Sequence, residues 1–447
     1  MQQVSGKQQP GVAPLRIALA GLGTVGGGVI RLIERNAKLI TRRAGRDIQI
    51  VAVSARDRGK DRGVDIAAYN WVDDMAALSQ RDDVDVVVEL VGGSDGPALA
   101  LARSAIAAGK GFVTANKAMI AHHGLSLARD AEASGAALKF EAAVAGGIPV
   151  IKGLREGAAA NEVERVYGIL NGTCNYILST MEDSGADFAD VLSDAQAQGF
   201  AEADPSFDID GVDAAHKLSI LASIAFGTQL DFDSVIVEGI RRLESSDIAQ
   251  ADALGYVIRL IGTANIEGAA DGESPARLFQ RVHPYLVAKD HPLAHVDGPT
   301  NAVVAEGNFS GRLLFQGAGA GDGPTASAVV ADIIDIARGE AGAPFSIPVA
   351  ELEPTRAADP GGRHGKAYLR FTVADRPGVL AELAAAMRDA DVSIESLIQR
   401  GASADGSALI SMVTHDGEEA CVTRALEMLS GSDSLTAPPL VLHILRQ

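Results

Sequence analysis

The chain is poor in residues that cross-link, stack or carry positive charge. Of 447 residues, only two are cysteine, one is tryptophan, and aromatic residues make up 4%. Cys174 and Cys421 are far apart and fit no metal-binding spacing. Their scarcity suits a reducing compartment, the cytoplasm. Lysine and arginine total 39 against 58 acids, a net charge of -19. Such a balance argues against a nucleic-acid partner or an anionic membrane, and any phosphate ligand needs a local basic patch. No uninterrupted apolar run approaches the ~18 residues a membrane span requires. The opening stretch, MQQVSGKQQPGVAP, has no apolar centre and is no signal peptide; residues 1–14 read as a disordered tail.

What remains is a soluble globular composition, 47% hydrophobic and 22% charged, long enough for two to three domains. Forty-nine glycines suit α/β packing with tight turns. Apolar strands such as LRIALA (15–20), DIQIVAVSA, DVDVVVELVGG, GFVTANK and ALKFEAAVAGG alternate with helical stretches. That alternation predicts a doubly wound parallel sheet over 15–150. Residues 151–350 mix strand-like runs with long helices and read as an α+β substrate-binding and dimerisation domain. Linker composition, PTRAADPGGRHGK, marks 351–366. The order βαββαβ over 367–447 predicts a ferredoxin-like module.

Gly21-Leu22-Gly23-Thr24-Val25-Gly26 follows a strand and opens a helix, the context in which a pyrophosphate rests on a helix N-terminus. It predicts a Rossmann-type dinucleotide site. The second strand ends in Arg56 and Asp57, with Arg58, Lys60 and Arg62 beyond. An arginine at that tip suits the extra phosphate of NADP, while Asp57 leaves NAD open; the bland alternative is a solvated basic loop. Lys117, after a strand end, can reach cofactor or substrate, or be a surface lysine. Glu202, Asp204, Asp208, Asp210 and Asp213 crowd ahead of Lys217. Asp213 and Lys217 share a helix face. This is a surface ion pair, or a site that holds an ammonium and donates a proton. Cys174 reads as a buried cysteine, with an aldehyde nucleophile as the alternative.

Taken together, GLGTVG, ELVGG, VTANK, EAAVAGGIP, GILNGTCNYI, GFAEADPSFDIDGVDAAHK and GAGAGDGPTASAVVADI resemble, in order, homoserine dehydrogenase. ADRPGVLAELAAAM resembles the first turn of an ACT domain. No aspartate kinase domain precedes these motifs, so the form expected is monofunctional. The resemblance implies reversible reduction of L-aspartate 4-semialdehyde to L-homoserine with NADP or NAD. It implies Lys217 as proton donor, Lys117 beside nicotinamide and substrate, and Asp213, Asp208 and Glu202 binding substrate. Two lysines in one cleft are expected to lower each other's pKa. The resemblance also places Gly321 at the cofactor, and a monovalent cation, sodium, on main-chain oxygens of Glu141, Val144, Gly146 and Ile148. L-Threonine is the implied regulator, at Asp375, Gly378 and Val379, and the assembly a homodimer or homotetramer. Two rivals stand: aspartate-semialdehyde dehydrogenase, which needs Cys174 as nucleophile, and a non-catalytic amino-acid sensor.

Overall fold

The computed structural model describes residues 12–268, 275–400 and 406–446, so most of the expected N-terminal tail lies outside the described residues. The chain forms two compact units, each built from separate stretches. One takes the chain up to Val166 with His216–Asp233 and Ala302–Pro354; the other takes Tyr167–Ala215, Ser234–Asn301 and Thr355 onward.

The first unit holds the predicted parallel sheet: β1 (Leu15–Ala20), β2 (Ile48–Ser54), β3 (Asn70–Trp71), β4 (Val86–Glu89), β5 (Gly111–Thr114) and β6 (Leu138–Lys139). Their order is β3-β2-β1-β4-β5-β6, all pairs parallel. The order reverses beside β1, and ligands of such sheets bind at that switch point, off the strands' carboxyl ends. The strands are short apolar runs because helices cover both faces. Helices α1 (Thr24–Arg35), α2 (Ala37–Ala44), α3 (Pro97–Ala107) and α4 (Lys117–Ser134) connect them. The helix Asp322–Arg338, distant in sequence, puts Ala326, Val329 and Ile333 into the same core as Ile17, Leu19, Val29 and Val88. Each of the valine, leucine and isoleucine side chains contributes roughly 1.5–3 kcal/mol on burial.

One predicted strand is nearly lost. ALKFEAAVAGG yields only the two residues of β6, then a 3-10 turn at Glu141–Ala143. The Glu141 N–H donates to Asp332 Oδ2 at 2.9 Å, and Ala145 and Gly146 take φ of 54° and 48°. A strand cannot continue through two left-handed residues.

In the second unit, Tyr256–Glu267 and Arg277–Ala288 form a twelve-residue antiparallel hairpin. The C-terminal module has its predicted βαββαβ order. Leu440–Ile444, Ala367–Ala374, Ser407–Thr414 and Ile394–Arg400 lie side by side, backed by helices Val379–Asp389 and Glu419–Leu429. Leu440–Ile444 also pairs, in parallel, with Arg277–Ala288, so hairpin and module share one sheet. The proline- and glycine-rich stretch before the module is itself pinned: Arg356 and Ala357 pair with Arg277 and Leu278.

A buried polar cluster fastens the module's first strand to helix Ser245–Ala253. Asp247 closes a capping box with Glu244 and accepts from Tyr368 Oη at 3.2 Å. It also faces Arg370 Nη1 at 3.2 Å. Burial pushes the Asp247 carboxyl up to about 6, against the pull of Arg370. A carboxyl raised in the fold binds its proton more tightly folded than unfolded, so its contribution falls as pH rises through that value. Denaturant unfolding should therefore show wild type losing about 2 kcal/mol relative to Asp247→Asn between pH 4.5 and 7.5. A pH-independent difference would show that Asp247 does not titrate in this window.

Candidate active site

The three motif glycines have different surroundings. Gly21 has φ 99°, and a Cβ there would meet Leu90 O at 2.6 Å. At Gly26 a Cβ would meet Gly21 O at 2.2 Å. At Gly23, which precedes the first turn of α1, a Cβ would meet nothing within 4 Å. The outer two glycines are thus required by the protein's own packing. The middle one faces open space, where bare backbone lets a diphosphate approach N–H groups at a helix start. Thr24 and Val25 form that first turn. These residues fit a dinucleotide. A second glycine loop closes on α1: Gly321 (φ 115°) precedes helix Asp322–Arg338, and a Cβ on Gly28 would strike Asp322 O at 2.6 Å. Arg31 pairs with Asp322 at 2.7 Å.

Past β2 the basic residues separate. Arg62 is held in place. Its Nε donates to Leu22 O at 3.0 Å, and its guanidinium lies 6.0 Å from the Trp71 ring centroid, as Arg58 does at 5.8 Å. Arg56, Asp57 and Lys60 are exposed.

At the ends of β4 and β5, Glu89 is fully buried and fully used. It accepts from the N–H groups of Val91 and Gly92 at 2.6 and 2.9 Å, and from Thr114 Oγ1 at 2.6 Å. Thr114 Oγ1 accepts in turn from the Asn116 N–H at 2.9 Å, and Asn116 donates to Gly93 O and caps α4. Lys117 is the first residue of that helix. Sequence alone assigned Glu89 no role, and named Thr114 and Asn116 only as the strand end that carries Lys117, although one acid closing an apolar strand at a carboxyl end was a usable signal.

The segment 141–148 is a tight, strained loop. Ala145, a buried non-glycine residue, takes the left-handed conformation, an arrangement that clusters at functional sites. A Cβ at Gly146 would lie 2.4 Å from Gly319 O. The Glu141 carboxylate accepts from the N–H groups of Ile151 and Lys152 at 3.0 and 2.9 Å. Burial and then the Asp332 charge push it up to about 7, opposed by Lys152. Val144 and Ile148 bury their side chains, leaving the main chain as the polar surface of the loop. Among the described residues no group of three His, Cys, Asp or Glu side chains is set to hold a metal.

The acidic stretch divides by role. Asp204 accepts from the Ser206 N–H, and Asp210 pairs with Arg241. Asp208 and Asp213 converge on Asn171, whose Nδ2 donates to both at 2.7 and 2.8 Å. Thr173 Oγ1 reaches Asp208 at 3.3 Å. Glu202 stays exposed. One helix, Val212–Phe226, carries both Asp213 and Lys217, each buried, at 3% and 9% exposure. Cys174 is fully buried, its thiol 3.2 Å from Asp208 O. Asn171 is a further residue that sequence did not single out; nothing short of the fold joins it to acids some forty positions away.

In the C-terminal module, Asp375 and Gly378 are exposed on the loop before helix Val379–Asp389, and Gly378 has φ 97°. Val379 turns inward to the module's core. Arg376 ties the loop to Ser434 at 3.1 Å.

Family models match three successive stretches: homoserine dehydrogenase NAD-binding domain over 21–141, homoserine dehydrogenase over 149–334, and ACT domain over 367–427. A homoserine dehydrogenase of Pseudomonas aeruginosa is 43% identical, over 95% of this chain and 97% of its own length. A crystal structure of a homoserine dehydrogenase from Thiobacillus denitrificans superposes with a TM-score of 0.89 at 40% identity, covering 97% and 99% of the two chains. A hyperthermophilic archaeal homoserine dehydrogenase in complex with NADPH gives 0.60 at 25% identity, over 72% and 97%. With a dinucleotide-binding sheet, a buried acid and lysine on one helix and a C-terminal ACT domain, this chain belongs to the homoserine dehydrogenase family of oxidoreductases.

Proposed function

We propose that the protein interconverts L-aspartate 4-semialdehyde and L-homoserine, the step that feeds threonine, methionine and isoleucine synthesis. The observation that carries the reading is the helix Val212–Phe226, which holds a buried lysine one turn after a buried carboxylate itself fixed by Asn171. A nicotinamide cofactor, when bound, supplies or accepts the hydride. Lys217 gives its proton to the aldehyde oxygen as the hydride reaches carbon, and takes it back in the reverse direction. Asp213 hydrogen-bonds the substrate, with Asp208 and Glu202 holding its ammonium, and Lys117 stands by the carboxamide end of the cofactor. Cys174, buried and pointing its thiol at a main-chain oxygen, gives no support to an acyl-enzyme route.

Arg56, Arg58 and Lys60 offer cations at the tip of β2, which supports NADP over NAD; the archaeal relative holds NADPH. Purified enzyme with L-homoserine should therefore reduce NADP+ faster than NAD+, followed by nicotinamide absorbance. Lys217→Ala should lower kcat by about 10²–10⁴-fold, the usual weight of one acid–base group, and still bind cofactor. Near-wild-type turnover in that variant would remove Lys217 from the chemistry.

The loop of Glu141, Val144, Gly146 and Ile148 holds a monovalent cation, sodium, through main-chain oxygens; the left-handed pair Ala145–Gly146 is the support for it. The cation's work there is to brace the loop, with no part in proton movement. The exposed Asp375–Gly378 turn takes L-threonine between neighbouring ACT modules of a homo-oligomer, its carboxylate toward the start of helix Val379–Asp389 and its ammonium toward Asp375. Threonine titrated into the assay should then depress the rate, and Asp375→Ala should weaken that inhibition at least tenfold without lowering the uninhibited rate. A flat response of wild type across a wide threonine range would count against regulation.

A further inference from the structure

The two lysines given chemical roles lie in the same unit on different helices, Lys117 at the start of α4 and Lys217 within Val212–Phe226. A pair of histidines cross-links those helices beside them. His122 Nε2 and His216 Nε2 are 3.1 Å apart, a hydrogen bond in which one ring donates and the other accepts. Phe232 wedges both rings. His216 stacks on it at 4.4 Å and 7°, and His122 meets it edge-on at 4.7 Å and 68°. His216 is buried at 4% exposure, and His122 is exposed.

The placement matters more than the strength of the bond. His216 is the residue next to Lys217, and His122 follows Lys117 by about 7.5 Å of helix axis. Asn116 caps α4 on the other side of Lys117, fixed to Gly93 and Thr114. Lys117 is thus bracketed by two anchors within two turns, one to the sheet and one to the neighbour of Lys217. His123, beside His122, adds a contact to Asp95 at 2.9 Å.

We propose that His122 and His216 are positioning residues, which set the separation of Lys117 and Lys217 through the imidazole–imidazole bond clamped on Phe232. The inference rests on the dehydrogenase reading and adds to it a means of fixing the two lysines together. Loss of the bond leaves both helices folded but free to shift, and a displacement of about 1 Å at reacting groups can cost about 10²-fold in rate.

The test is steady-state kinetics of the full-length enzyme with L-homoserine and NADP+, on His122→Ala, His216→Ala, the double variant and His122→Gln. Because His122 is exposed, its replacement opens no core cavity, and its melting temperature should stay near wild type even if His216→Ala unfolds. The expected result for His122→Ala is a 10- to 100-fold lower kcat with an unchanged KM for NADP+. The double variant should be no worse than the poorer single one, since one bond is lost in all three. His122→Gln, whose amide nitrogen can take the place of Nε2, should restore most of the rate. A fully active His122→Ala would overturn this inference alone. A wild type with no turnover on either cofactor would overturn the dehydrogenase reading, and this inference with it.

Discussion

Backbone-to-backbone contact at glycine is the constraint on which the first unit depends. Gly21 lies against the end of β4, Gly26 against Gly21, Gly28 against Asp322, and Gly146 against Gly319. In each case a methyl group would fall between 2.2 and 2.6 Å from a carbonyl oxygen, inside any tolerable contact. These contacts gather three segments, at 21–28, 146–147 and 319–323, that sequence separates by more than a hundred residues each. With the main chains so close, few side chains can intervene, and the polar surface left is main-chain N–H and C=O. That is what a diphosphate and a small cation use as ligands.

Around this glycine-lined region the unit buries several carboxylates, each facing backbone N–H groups or a side-chain partner. Glu89 takes three hydrogen bonds, and Glu141 takes two from consecutive backbone N–H groups. Asp332 accepts from the Glu141 N–H and faces Lys152, which also holds Asp335 at 2.5 Å. A buried charge without such partners would be protonated or expelled. These acids are therefore structural braces for loops rather than groups awaiting a ligand. They differ in this from Asp208 and Asp213, which are joined to each other through one shared amide donor, Asn171.

The parallel sheet, the glycine turn and the C-terminal βαββαβ module were legible in the sequence because each has a local cause. Parallel strands covered on both faces are apolar runs, and a tight turn needs glycine at set spacings. Illegible features had causes far away or against propensity. ALKFEAAVAGG looks like a strand, yet Asp332, 191 positions on, takes its Glu141 N–H, and an alanine adopts a conformation alanine disfavours. The helix Asp322–Arg338 reads as part of a later domain, yet its apolar face completes the core of the first sheet. Within the acidic run, sequence showed a cluster of five. Only the fold shows Asp210 spent on Arg241 and Asp208 joined to Asp213 through Asn171.

The C-terminal module is not a bead on a flexible tether within its unit. Its last strand, Leu440–Ile444, hydrogen-bonds on one side to its own first strand and on the other to Arg277–Ala288. Arg281, on that longer strand, makes a bidentate pair with Glu419 at the start of the module's second helix, at 3.0 and 2.6 Å. Arg370 of the module's first strand faces Asp247. Both pairs are largely buried, so separating the module from the hairpin and from helix Ser245–Ala253 would strand charges in an apolar setting, where losing one partner costs about 3–5 kcal/mol. Burial, then the charge of Arg281, holds His443 well below the ordinary imidazole range, so it stays neutral in this cluster and adds no repulsion. A shift of the module's first strand therefore disturbs the Arg370–Asp247 pair and, through Leu440–Ile444, the sheet shared with the hairpin. The stretch of linker composition before it, paired to Arg277 and Leu278, offers no slack to absorb such a shift. Strain begun at the Asp375–Gly378 turn, where that strand ends, has a continuous hydrogen-bonded route into the hairpin of the same unit.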